Sequence, residues 1–135
     1  MNGYRSIARL WLTVLVATHL IISIVHGTAH AGANVPLSRA ANLFVFIVIV
    51  AGPLVGLALM WRAERPGAWL IAIAMAGSLV FGFLNHFVFA SADHIAHVAG
   101  RWRALFATTA VLLALTEALS AGIALRVAQI RELVS

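Results

Sequence analysis

The sequence predicts an all-α integral membrane protein, a four-helix up-and-down bundle in a single transmembrane domain spanning residues 1–135. Two observations predict it. The 135 residues are 63% hydrophobic and only 10% charged, with a mean hydropathy of +1.02. A soluble domain of this size buries only about two-thirds of what its unfolded chain exposes, too little to hide that much apolar surface. The apolar residues also fall into four stretches, at roughly 7–31, 37–61, 67–91 and 103–127. Each is about 25 residues, enough to cross ~30 Å of hydrocarbon with some tilt.

The first stretch follows Arg5 and Arg9, and Ala29-His30-Ala31 imitates a signal-peptidase site. Two histidines crowd that site, so the segment is read as a retained helix rather than a leader. Pro36 is expected to open the second helix, and Pro66-Gly67 to precede the third. Gly52-Pro53-Leu54-Val55-Gly56 marks close packing and a kink in the second. The longer 91–102 segment leads to the fourth.

The net charge of +5 comes with nine basic residues, all Arg, and no Cys. Disulfides, thiolate metal sites and iron–sulfur clusters are therefore excluded. The charges form no patch for nucleic acid; they stand at the ends of the apolar stretches. Arg5, Arg9, Arg62, Arg65, Arg126 and Arg131 fall on one side of a four-pass chain, and Arg39, Arg101 and Arg103 on the other. The positive-inside rule then places a multi-pass protein in the inner (cytoplasmic) membrane with both termini cytoplasmic. Trp11, Trp61 and Trp69 near one boundary and Trp102 near the other fit an aromatic belt.

The two halves echo each other. His19, His26 and His30 have the same spacing as His86, Asp93 and His97, and Arg39 to Arg62 equals Arg103 to Arg126. This predicts two parallel-repeated helical hairpins about an axis along the membrane normal. Offsets of seven and eleven residues return to one helix face. His19, Ser23, His26 and His30 thus form a stripe on the first helix. His86, Asp93 and His97 form another if the third helix runs past residue 91, with His94 beside it. The repeat axis would turn the stripes towards each other.

All six histidines lie in these two segments, and ionisable groups inside a membrane default to function. His26 and His30, and again Asp93 and His97, are i, i+4 pairs that can converge on one ion. The expected site is a transition metal, zinc, copper or iron, near the outer face. Its ligands are His26, His30, Asp93 and His97, with His86 and His94 next in line. Asn85 or Glu117 would orient a ligand. His19, ~16 Å deeper than His30 at 1.5 Å per residue, is expected to meet Glu117 instead. The imidazoles must be neutral to bind, so affinity should fall below about pH 6.

The rival is b-type haem held between His19 and His86, or His30 and His97, with Gly27 and Gly82 making room. A proton relay or small-molecule pathway without metal is the third reading. The sequence leaves open whether the chain is an enzyme. Besides the lipid bilayer, a second copy of the chain or a redox partner remain as partners. No nucleotide loop, nucleophile triad or nucleic-acid surface is visible.

Gly67-Ala68-Trp69-Leu70, Phe81-Gly82, Asn85-His86-Phe87, Asp93-His94-Ile95-Ala96-His97 and Leu113-Ala114-Leu115-Thr116-Glu117-Ala118 together resemble a set of small bacterial four-helix membrane proteins with no assigned activity. The resemblance covers most of the chain. It implies the four-helix topology and singles out Asn85, His86, Asp93, His94, His97 and Glu117, without separating metal from haem.

Overall fold

The computed structural model describes residues 2–129; Arg131 of the charge argument lies outside them. It is all helical, with no strand among the described residues. Four helices carry spans long and apolar enough to cross a membrane. We number them α1 (Asn2–Gly32), α2 (Arg39–Arg62), α3 (Glu64–Val88) and α4 (Gly100–Gln129). Large apolar side chains face outwards from them, among them Ile21, Ile24, Phe46, Ile73, Val80 and Leu119.

α1 ends where Asn34 takes a left-handed conformation, φ 54°, with Val35 N–H donating to the His30 carbonyl at 3.0 Å. Asn tolerates that region better than most residues. α2 starts at Arg39, later than Pro36 suggests, because the Ser38 hydroxyl caps it by accepting from Ala41 N–H at 3.1 Å. α3 starts at Glu64, earlier than expected. Pro66 sits inside its first turn, where a missing N–H costs nothing because it would have no intrahelical partner.

Two segments are wound as π-helix: Val45–Ala51 in α2 and Leu84–Val88 at the end of α3. The first leads into Pro53, which has no N–H to give the Ile49 carbonyl. The second ends the helix at Val88, where Phe89 turns extended and its N–H donates to the Leu84 carbonyl at 2.8 Å. The expected helix through residue 91 is thus three residues too long, and the histidine stripe does not continue on it. The polar run Ser91-Ala92-Asp93-His94 supplies turn-forming side chains in its place: Ser91 Oγ accepts from Asp93 N–H at 3.2 Å.

α1 packs on α4, α4 on α3, and α3 on α2, while α1 and α2 meet only sparsely. The ring of helices is therefore open on one side. Towards the termini the core is dense, built on Leu12, Val16, Met60, Ile71, Met75 and Ala124. Arg9 Nη2 bonds Glu64 Oε1 there at 3.0 Å. Gly67 lies so close to the Met60 backbone that a Cβ would collide with it.

Candidate metal centre

His26 and His30 stand one turn apart on α1, and their rings meet edge to face with centroids 4.8 Å apart. His86 comes from the π-wound end of α3, a winding that often marks functional positions. One ring nitrogen from each of His26, His30 and His86 lies within 4.8 Å of the others, close enough to hold a metal ion. Phe106 of α4, fully buried, packs against all three rings at 4.7, 4.8 and 5.3 Å. It fixes their separation.

The 89–99 connection folds back over this cluster. Ile95 N–H donates to the His86 carbonyl at 3.0 Å, and Asp93 Oδ1 arrives 3.2 Å from both His30 Nε2 and His86 Nδ1. This oxygen is buried, yet neither contact has the direction of a hydrogen bond among the described residues. Burial works to raise the Asp93 carboxyl, but the His86 N–H and the charge of the neighbouring imidazoles when protonated outweigh it. They hold it below its ordinary 3.8, so it is an anion at neutral pH.

The partners of the rings assign their protons. His86 Nδ1 faces the Asp93 carbonyl at 3.0 Å, which only accepts, so Nδ1 carries hydrogen. His30 Nδ1 faces the Val35 carbonyl at 3.4 Å, to the same effect. His26 Nδ1 lies 2.7 Å from Thr109 Oγ1. That hydroxyl already donates to the Leu105 carbonyl at 2.7 Å, so it accepts from His26. In three neutral imidazoles every Nε2 is then a bare lone pair. His26 Nε2 and His86 Nε2 face each other at 3.3 Å, and His30 Nε2 faces the Asp93 carboxylate. Acceptor confronts acceptor twice.

The other predicted residues lie elsewhere. His97 is exposed, with Nδ1 donating to the Ser91 carbonyl at 2.6 Å. His94 Nδ1 accepts from Ala96 N–H at 3.1 Å. Both hold the connection in shape. Asn85 donates to the Phe81 carbonyl at 2.8 Å rather than to a histidine. His19 Nε2 donates to the Ile49 carbonyl freed by Pro53, at 3.3 Å. Its Nδ1 lies 3.8 Å from Glu117 Oε1, both side chains buried. The pairs proposed for haem are not brought face to face: the nitrogens of His19 and His86, and of His30 and His97, are directed at other groups. Positions matched by spacing, such as His19 and His86, do not occupy matching places in the bundle. Thr109 and Phe106 went unnoticed in the sequence. A hydroxyl in an apolar span was the signal for Thr109; Phe106 gave none.

Comparison of the chain with protein-family models, with curated proteins and with solved structures found no match.

Proposed function

We propose that this chain is a multi-pass inner-membrane protein that binds one transition metal ion, zinc, copper or iron, near the outer membrane face. The ligands are the Nε2 atoms of His26, His30 and His86, with the carboxylate of Asp93 as the fourth. Three imidazoles and one carboxylate suit these metals. Thr109, the Asp93 carbonyl and the Val35 carbonyl hold the rings by their Nδ1–H groups, as orienting partners of metal-bound histidines do. Such a centre serves metal handling or redox chemistry.

The facing lone pairs carry this reading. A buried polar atom turned towards another of its kind is costly. One cation among the three histidines, with the Asp93 carboxylate turned onto it, would resolve both encounters. Two added protons would also resolve them, but would leave two imidazolium rings with centroids 4.8 or 5.9 Å apart, and like charges so close disfavour each other. A tetrapyrrole is disfavoured by crowding, since the His30 and Phe106 rings already pack against His26 with centroids 4.8 and 4.7 Å away.

Metal content and the visible spectrum of purified protein test this. The expected result is near-stoichiometric metal without a Soret band, lost in His26→Ala and His86→Ala but kept in His19→Ala and His97→Ala. Metal-free protein of full solubility would hand the site to protons, and a Soret band would hand it to haem.

A further inference from the structure

A cavity of about 350 Å³ lies among the four helices, with residues of both α1 and α2, which meet only sparsely, on its wall. The metal group stands at one end and Glu117 at the other. Between them the walls are chiefly apolar, with Val45, Ile49, Phe81 and Leu113 on them. Glycine keeps two places clear. A Cβ at Gly27 would meet nothing within 4 Å, and one at Gly82 would come no nearer than 3.8 Å to the His86 ring. The volume lies in the range of small-molecule sites and leaves no room for a two-chain lipid.

Resting on the metal reading above, we propose that this cavity takes the alkyl chain of a single-chain amphiphile whose carboxylate head sits on the metal. Charge identifies the head. A divalent ion, three neutral imidazoles and the Asp93 carboxylate sum to one uncompensated positive charge in an enclosed site, which favours a monoanion. The walls identify the body, and the gap between α1 and α2 lets it enter from the hydrocarbon. The floor sets the length. From Ala110 to Glu117, both on the wall, is ~10 Å at 1.5 Å per residue. Glu117 faces His19 there and closes the chain's path with a polar pair. At ~1.3 Å of advance per carbon–carbon bond, ~10 Å holds about eight carbons.

The test uses full-length protein in phospholipid nanodiscs loaded with cobalt(II), whose visible spectrum reports its ligands. Octanoate should change that spectrum and bind at least tenfold more tightly than acetate, which has the head without the chain. Gly27→Leu should keep the cobalt and weaken octanoate at least tenfold, while acetate binding is unchanged. Val45→Trp, reaching in from α2, should do the same. Cobalt bound with no response to octanoate, or octanoate binding equally well to wild type and both variants, overturns this proposal and leaves the metal reading standing. Failure to bind cobalt overturns the metal reading and the proposal together.

Discussion

Two pairs of glycines in the bundle are used in opposite ways. Towards the termini, Gly56 and Gly67 let α2 and α3 close on each other. A Cβ at Gly56 would stand 2.6 Å from Ile71 Cγ1 and 3.1 Å from the Ile71 nitrogen, and one at Gly67 would strike the Met60 backbone. Towards the 33–38 and 89–99 connections, Gly27 faces open space and Gly82 nearly so. The first end is filled by Leu12, Met60, Ile71 and Met75; the second holds the cavity, the histidines and Asp93. In lipid, helices associate through close packing rather than through the hydrophobic effect. The terminal end carries the larger core, while the other end has a smaller one, Ala29, Val35, Val98 and Phe106, beside its cavity and polar groups.

The sharpest way to break this contrast is to remove a ligand from the hollow end. His86→Ala should abolish metal binding and leave the helical content and thermal transition of the metal-free protein close to those of wild type. If it unfolds the bundle instead, the polar end is structural and the division fails. Next in size is a change at the dense end. Gly67→Leu should destabilise by roughly 3 kcal/mol or more, since its side chain meets backbone that cannot step aside. The matching substitution Gly27→Ala should be neutral or stabilising by up to about 1 kcal/mol, because it trades a flexible helical residue for a good helix former. Thermal denaturation in nanodiscs compares the two; equal losses would erase the distinction.

Smaller effects sharpen the account of the site. Thr109→Val keeps the shape but deprives the His26 Nδ1–H of its acceptor, and should weaken metal binding by about 10–100-fold. A competition titration with a chelator reads this. Binding should also weaken as the medium is acidified from neutral towards pH ~4, since a ligand nitrogen that takes up a proton no longer binds. Asp93, held below 3.8, stays ionised through that window. The contribution of its depressed pKa to stability is present at neutral pH and is lost only as pH falls through that lower value. Metal loss within that window should thus occur without unfolding, which intrinsic Trp fluorescence would follow. Smallest of all, His97→Ala should leave the metal in place.

The bundle was legible because four long apolar stretches with Arg at their ends fold as four helices long and apolar enough to cross a membrane. The convergence of His26 and His30 followed from helical spacing alone. So did the separation of His19 and Glu117 from that pair. What spacing could not supply was the end of α3. The π-wound turn at Leu84–Val88 and the Ser91 turn depend on hydrogen bonds that leave no period. Once the helix stops at Val88, Asp93 reaches the cluster from a connection and His97 turns away to Ser91. His86, expected behind the first ligands, comes forward instead. Thr109 was hidden for a related reason, since a threonine that returns its hydroxyl to its own helix looks like any other in an apolar span.

The central claim is that three imidazoles and one carboxylate enclose an ion where lone pairs otherwise confront each other. X-ray absorption at the metal edge of the purified protein in nanodiscs tests it most directly. The account predicts a first shell of light atoms only, with three histidine nitrogens and one oxygen at ~2.0–2.2 Å. The imidazole scattering should fall by about one ring in His30→Ala and be unchanged in His97→Ala. A shell without imidazole scattering, one dominated by four porphyrin nitrogens, or one that loses a ring in His97→Ala and not in His30→Ala, would contradict it.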